Sequence, residues 1–128
     1  MIETTYFKEK EMACKCGCGT CNINPTFVNK LDHARRLAGV SFPVTSACRC
    51  AKHNRKVGGV AESSHLSVPG ALECTAADLG IFDSVSRFKV VKALIEAGFS
   101  RIGIGKGLIH VDSDTTKDQG VIWLYADK

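Results

Sequence analysis

Two sets of residues in this chain are suited to chemistry: histidines near carboxylates, and clustered thiols. The stretch "GLIHVDSD", Gly107 to Asp114, sets His110 beside Asp112 and Asp114 in a run that otherwise reads as a strand. Upstream, "TSACRCAKHNRKVGGVAESSHLSVPGALECTAADL" places Arg49 after a small-residue turn and Asn54 on a short polar helix. A Gly58-Gly59 break, His65 in "SSHL" and Asp78 in "AADL" follow. A chain reversal between that loop and the Asp78 strand would bring His65 and Asp78 to one point, and His110 on a neighbouring strand would supply a third donor. Two histidines and one carboxylate suit a catalytic zinc ion, because three protein ligands leave the fourth tetrahedral position open to water. A single histidine in a strand is more often a core residue, so both readings of His110 stand at this point.

The chain has seven cysteines, four of them in "CKCGCGTC" at Cys14, Cys16, Cys18 and Cys21. An odd total cannot all pair within one molecule, and synthesis in the cytoplasm disfavours a disulfide framework. Four thiolates from this loop are candidates to converge on one ion, while the glycines between them equally suit a tight turn; metal and disulfide both stay open. Cys48, Cys50 and Cys74 are the remainder.

The elements that must position these groups are legible in the hydrophobic pattern. "NINPTFVNKLDHARRLAG" has an N-cap in Asn24, proline at the first helical position, and Phe27, Leu31, Ala34 and Leu37 at helical spacing, closed by Gly39. His33 falls on its solvated side. "FPVTSAC" reads as a short strand, "CAKHNRKVGG" as a short polar helix, and "TAADLGIF" as a second strand. "DSVSRFKVVKALIEAG" starts at an Asp/Ser cap, sets Val85, Phe88, Val91, Leu94 and Ile95 on one face, and ends at Gly98. The runs "RIGIG", "GLIHVD" and "GVIWLYA" predict an antiparallel meander. The class is therefore α+β, with helices packed on a small antiparallel sheet.

At 128 residues the chain is long enough for one core and too short for two ordinary domains, so residues 1–128 are expected to form one domain. The net charge of +4 favours an anionic polymer without requiring one. The start, "MIETTYFKEKEMACK", carries charges where a signal peptide needs an apolar core, and no transmembrane run occurs. Cytoplasmic synthesis without stable membrane association is the expectation. A basic zinc module for nucleic acid is the contrasting class; it lacks a second cysteine knuckle at ordinary spacing and a recognition-helix pattern, so no nucleic-acid partner is expected.

The sequence resembles the zinc D-alanyl-D-alanine carboxypeptidases and L-alanyl-D-glutamate endopeptidases that cleave peptidoglycan peptides, a group that includes vancomycin-resistance dipeptidases and phage endolysins. Ser63, His65, Asp78 and His110 meet the family's S-x-H, D and final-histidine pattern, and Arg49, His53, Asn54, Gly58 and Gly59 meet its upstream arrangement. The "ACKCGCG" start, and the "W-x-Y" end with Trp123 and Tyr125, are similar to the small phage-type branch. The resemblance implies the hedgehog-like zinc peptidase fold, Zn2+ held by His65, Asp78 and His110, Arg49 on the substrate carboxylate or oxyanion, and a peptidoglycan stem peptide as substrate. Action on the cell wall after release, carriage on a virion and cytosolic peptide recycling all stay open, and a monomer is the default expectation. A catalytically silent relative that keeps zinc to bind wall peptides is the alternative. Two departures stand out. Relatives space the first histidine and the aspartate more closely than His65 and Asp78, the difference falling in a Pro69-Gly70 turn. Many relatives carry Glu or Asp where this chain has Gly107. Asp112, on the same strand face as His110, is the expected general base. The other reading has Asp112 orienting His110 or the substrate, with Asp114 or Glu73 as base.

Overall fold

The computed structural model describes residues 3–126; the two residues at each end of the expected 1–128 domain lie outside them. The element order is α1 (Glu9–Met12), α2 (Pro25–Ala38), β1 (Val44–Ser46), α3 (Ala51–Lys56), β2 (Ala76–Leu79), α4 (Ser84–Glu96), β3 (Arg101–Ile104), β4 (Ile109–Asp112) and β5 (Val121–Leu124). The class is α+β.

α2 forms for the local reasons its sequence carries. The Asn24 side chain accepts the Phe27 N–H at 2.9 Å, Pro25 occupies a position that needs no donor, and Gly39 ends the helix in the left-handed region at φ 68°. Phe27, Val28, Leu31 and Ala34 are buried, but Leu37 is half in solvent. Asp32, also buried, accepts the Thr4 hydroxyl at 2.6 Å and the Tyr6 N–H at 2.8 Å, which ties the N-terminal segment to the helix.

α4 starts on Asp83, whose carboxylate accepts the Ser86 N–H at 2.8 Å. Its buried face differs from the one expected: Val90, Ala93 and Leu94 point inward, whereas Val85, Phe88 and Ile95 are exposed. At about 100° per residue, Val85, Phe88 and Ile95 lie across the helix from that stripe. Helix α4 packs on α2 through small Ala93 and the branched pair Val90 and Leu94, and an edge-on Phe27–Phe99 contact at 5.7 Å closes the layer beside it. A stripe that includes alanine was outweighed by larger apolar residues in the sequence pattern.

The sheet has the order β1-β2-β4-β3-β5. β1–β2, β2–β4 and β3–β4 are antiparallel, as expected of helices packed on a small antiparallel sheet, but β5 lies parallel to β3 at the edge. The meander therefore stops after the β3–β4 hairpin, and residues 113–120 carry the chain back to start β5 beside Arg101. One rung crosses all five strands: Ser46, Asp78, His110, Gly103 and Trp123 are successive register partners. Alternation along the strands puts these residues on one sheet face.

Candidate metal centre

Asp78 on β2 stands directly opposite His110 on β4, so their side chains leave the sheet as neighbours. His65 comes from the loop ahead of β2. That loop is held by the Arg49 N–H to the His65 carbonyl at 2.8 Å and the Ser67 N–H to the Arg49 carbonyl at 2.9 Å. The longer stretch between His65 and Asp78 closes on itself. Val68 bridges Leu72 around Gly70 at φ 73°, and the Thr75 N–H returns to the Ser64 carbonyl at 3.0 Å. The extra residues are thereby looped out.

One donor atom from each of His65, Asp78 and His110 lies within 4.8 Å of the other two. His65 Nε2 is 3.3 Å, and His110 Nδ1 2.9 Å, from the same Asp78 Oδ1. Ligands at 2.0–2.1 Å from a tetrahedral ion lie roughly 3.3 Å apart, so this donor set fits a metal. The second nitrogen of each ring is also occupied. His65 Nδ1 is 2.7 Å from the Ala47 carbonyl, which makes it the protonated nitrogen and leaves the Nε2 lone pair facing Asp78. His110 Nε2 is 2.7 Å from Asp112 Oδ2.

Asp112 meets His110 at the nitrogen opposite the one that faces Asp78. Its other oxygen accepts Arg101 Nε at 2.7 Å and the Asp114 N–H at 3.0 Å, and the side chain is fully buried. Both carboxylate oxygens are therefore engaged. Asp114 and Glu73 are placed elsewhere. Asp114 accepts the Ser64 hydroxyl at 2.7 Å, Glu73 accepts Asn24 Nδ2 at 3.1 Å, and both line an adjacent open groove of about 820 Å³. The cleft over the centre is smaller, about 240 Å³, and shares Ser63 and Ser64 with that groove. Among the described residues, Asp78 and Asp112 are its only carboxylates.

Arg49 reaches the other oxygen of Asp78, with Nη2 3.5 Å from Oδ2. Its Nε donates to Ser46 Oγ at 3.2 Å and its Nη1 to Asn54 Oδ1 at 3.3 Å. Asn54 is buried and donates in turn to the Val60 carbonyl at 2.9 Å. A Cβ at Gly59 would stand 2.1 Å from Asn54 Oδ1 and 3.0 Å from Arg49 Nη1. The glycine is required by this close approach. Gly59→Ala is expected to cost about 1–3 kcal/mol in urea denaturation, as overpacking does, and to lower activity by displacing Arg49.

Trp123 completes the wall. Its ring is 5.5 Å from His110 and carries the Arg101 guanidinium at 4.9 Å, and Gly103 is the gap into which it fits, since a Cβ there would meet its indole at 2.6 Å. Arg101 was not singled out in the sequence. The available signal was its place one step beyond the Ile102–Val111 pair, opposite Asp112, but it needs the hairpin register.

The family profile described as Peptidase M15 matches residues 5–112. The chain belongs to the peptidase M15 family. Family membership makes it a metal-dependent peptidase, and the matched span contains His65, Asp78, His110, Arg49 and Asp112. β5 of this M15 chain, with Trp123, lies beyond the match. No curated protein matches it. Among the described residues, no helix is long and apolar enough to cross a membrane.

The charges of the site are mutually dependent. Burial disfavours charge on Asp78, but its contacts with His110 and His65 outweigh it and hold its carboxyl well below the ordinary 3.8. Burial likewise opposes charge on His110, and contacts with Asp112 and Asp78 prevail and raise it above 6.5; Asp112 is lowered by the same pairing. A raised histidine contributes stability that is complete below its unfolded value and is lost as pH rises through the folded one; depressed carboxylates contribute above their unfolded value and lose it as pH falls. The melting temperature of the metal-free M15 chain is therefore expected to fall as pH rises beyond 6.5. Thermal melts in chelator should show this fall in the wild type and not in His110→Gln.

Proposed function

We propose that this M15 chain is a zinc peptidase that hydrolyses peptide bonds in bacterial peptidoglycan stem peptides, acting as an endolysin-type enzyme of phage or prophage origin. Convergence of His65 Nε2, Asp78 Oδ1 and His110 Nδ1 in one cleft of an M15 chain carries the reading. A zinc ion held there supplies a Lewis acid and makes hydroxide available near neutral pH. Arg49 offers its remaining guanidinium N–H groups to the substrate carboxylate or the developing oxyanion. The groove continuous with the cleft at Ser63 and Ser64 receives the stem peptide on either side of the scissile bond. The net charge of +4 suits an anionic wall. In this reading the enzyme reaches that wall after release from the cell, or on a virion, as a monomer.

Asp112 acts in this reading as a positioning residue: it orients the His110 ring and makes it a stronger donor. Asp112→Asn is expected to weaken zinc affinity by roughly 10–100-fold, with activity recovered in excess zinc. A base at this position would instead leave zinc content intact and activity lost at every zinc concentration, with the acidic limb of the pH profile changed.

The test of the function is a muropeptide digest read by mass spectrometry, with and without chelator and with zinc restored. Zinc-dependent products are expected, and their masses name the bond, D-Ala-D-Ala or L-Ala-D-Glu. A second reading, a silent wall-binding module, draws on one observation: both oxygens of Asp112 are engaged and no third carboxylate lines the cleft among the described residues. Fully zinc-loaded protein that binds muropeptides and releases no product would establish that reading and overturn the first.

A further inference from the structure

We propose that Cys14, Cys16, Cys18 and Cys50 form a second, structural zinc centre that fastens the N-terminal loop to the segment carrying Arg49. The set differs from the loop quartet read in the sequence: Cys21 leaves it and Cys50 enters. Cys21 Sγ instead lies 3.6 Å from Cys48 Sγ and 3.7 Å from the Glu9 carbonyl, and Cys74 Sγ lies against the Ala76 carbonyl at 3.3 Å. These three belong to or border the core.

The four sulfur atoms of the proposed centre lie within 4.8 Å of one another. Cys14–Cys50 and Cys16–Cys50 are both separated by 3.8 Å, and Cys14–Cys16 by 3.4 Å. Zinc–sulfur bonds of about 2.3 Å in a tetrahedron put sulfurs roughly 3.8 Å apart, whereas a disulfide needs about 2.05 Å. Four thiolates make a closed, soft donor set with no position for water, which is structural zinc chemistry and unlike the three-donor set at His65, Asp78 and His110.

The backbone is arranged for sulfur in the same way. The Cys50 N–H donates to Cys14 Sγ at 3.4 Å and the His53 N–H to Cys50 Sγ at 3.4 Å, so backbone donors already face both sulfurs. Gly17 and Gly19, at φ 92° and 77°, turn the loop so that alternate cysteines face one point, a conformation that side chains rarely adopt. The Cys14 N–H closes that loop on the Thr20 carbonyl at 2.8 Å, and the Cys48 N–H joins the Met12 carbonyl at 2.9 Å, so the two contributing segments already run side by side. Cys16 and Cys18 are exposed, which leaves the centre open to an ion from solvent. Each thiol that binds releases its proton to water.

The consequence concerns the first centre. Cys50 follows Arg49 directly and caps α3, the helix that presents Asn54 to the Arg49 guanidinium. An ion joining residues 14–18 to Cys50 would hold that segment from outside the cleft, a positioning role.

The experiment uses the full chain, purified under reducing conditions. Elemental analysis is expected to find two zinc equivalents in the wild type, one in His110→Gln, and one in the double variant Cys16→Ser, Cys18→Ser. Cobalt substitution supplies a readout independent of hydrolysis: thiolate-to-cobalt charge-transfer bands are expected in the wild type and in His110→Gln, and lost in the cysteine variant. Should the cysteine variant fail to fold, the wild-type spectrum and the His110→Gln count decide. A cobalt form without charge-transfer bands, or a mass lower by two hydrogens from a disulfide within the set, would overturn the proposal whatever the first centre does.

Discussion

Replacing His110 with glutamine is expected to abolish hydrolysis and remove the ion held with His65 and Asp78, while the chain stays folded. His110 contributes Nδ1 beside Asp78 Oδ1 at 2.9 Å, so its loss leaves two donors where three are needed. The effect should exceed the roughly 10–100-fold cost of removing an outer partner of a metal site. Folding is expected to survive because each carboxylate keeps a cation. Asp112 retains Arg101 Nε at 2.7 Å, and Asp78 retains Arg49 Nη2 at 3.5 Å. Glutamine also fills most of the volume beside Trp123, which limits the cavity penalty. The measurement is product formation from muropeptides together with zinc per chain and circular dichroism. Full activity in a folded His110→Gln would remove the proposed centre from the mechanism.

Arg49→Ala is expected to lower kcat/KM by about 10²–10³, the scale set by loss of one preorganised donor to a developing oxyanion. Zinc content should be unchanged, because the guanidinium is a cation beside Asp78 and its removal takes no electron pair from the metal. Arg49→Lys is the informative companion. Lysine keeps the charge but cannot reproduce the fork that now joins Ser46 at 3.2 Å, Asn54 at 3.3 Å and Asp78 at 3.5 Å, so most of the loss is expected to persist. A purely structural ion pair, in contrast, would show a drop in melting temperature with kcat/KM nearly unchanged. Steady-state kinetics on one defined muropeptide, with thermal melts on the same preparations, separates the two.

Much of the molecule was legible in the sequence because its signals are local. Asn24, Pro25 and Gly39 bound α2 through hydrogen bonds and backbone angles made within a few residues, and Asp83 does the same for the start of α4. The motif residues His65, Asp78 and His110 stood out by type and by their place on a loop and two strands. Ala93 carries little weight in a hydrophobic pattern, so the sequence favours Val85, Phe88 and Ile95 over the face of α4 that is buried.

What the sequence by itself determined is the set of elements, the α+β class, and the residue types on which a metal peptidase is built. The tertiary structure alone decided how they meet. Asp78 faces His110 because β2 and β4 pair in one register, and a shift of one residue would turn either side chain to the opposite face. Asp112 is committed on both oxygens because the β3–β4 hairpin brings Arg101 to it. Cys50 joins Cys14 across 36 residues of sequence, while Cys21, close to that loop in the chain, packs against Cys48. Strand direction at β5 and partner choice among like thiols depend on contacts between segments far apart in the chain. Local periodicity and capping carry no term for those contacts.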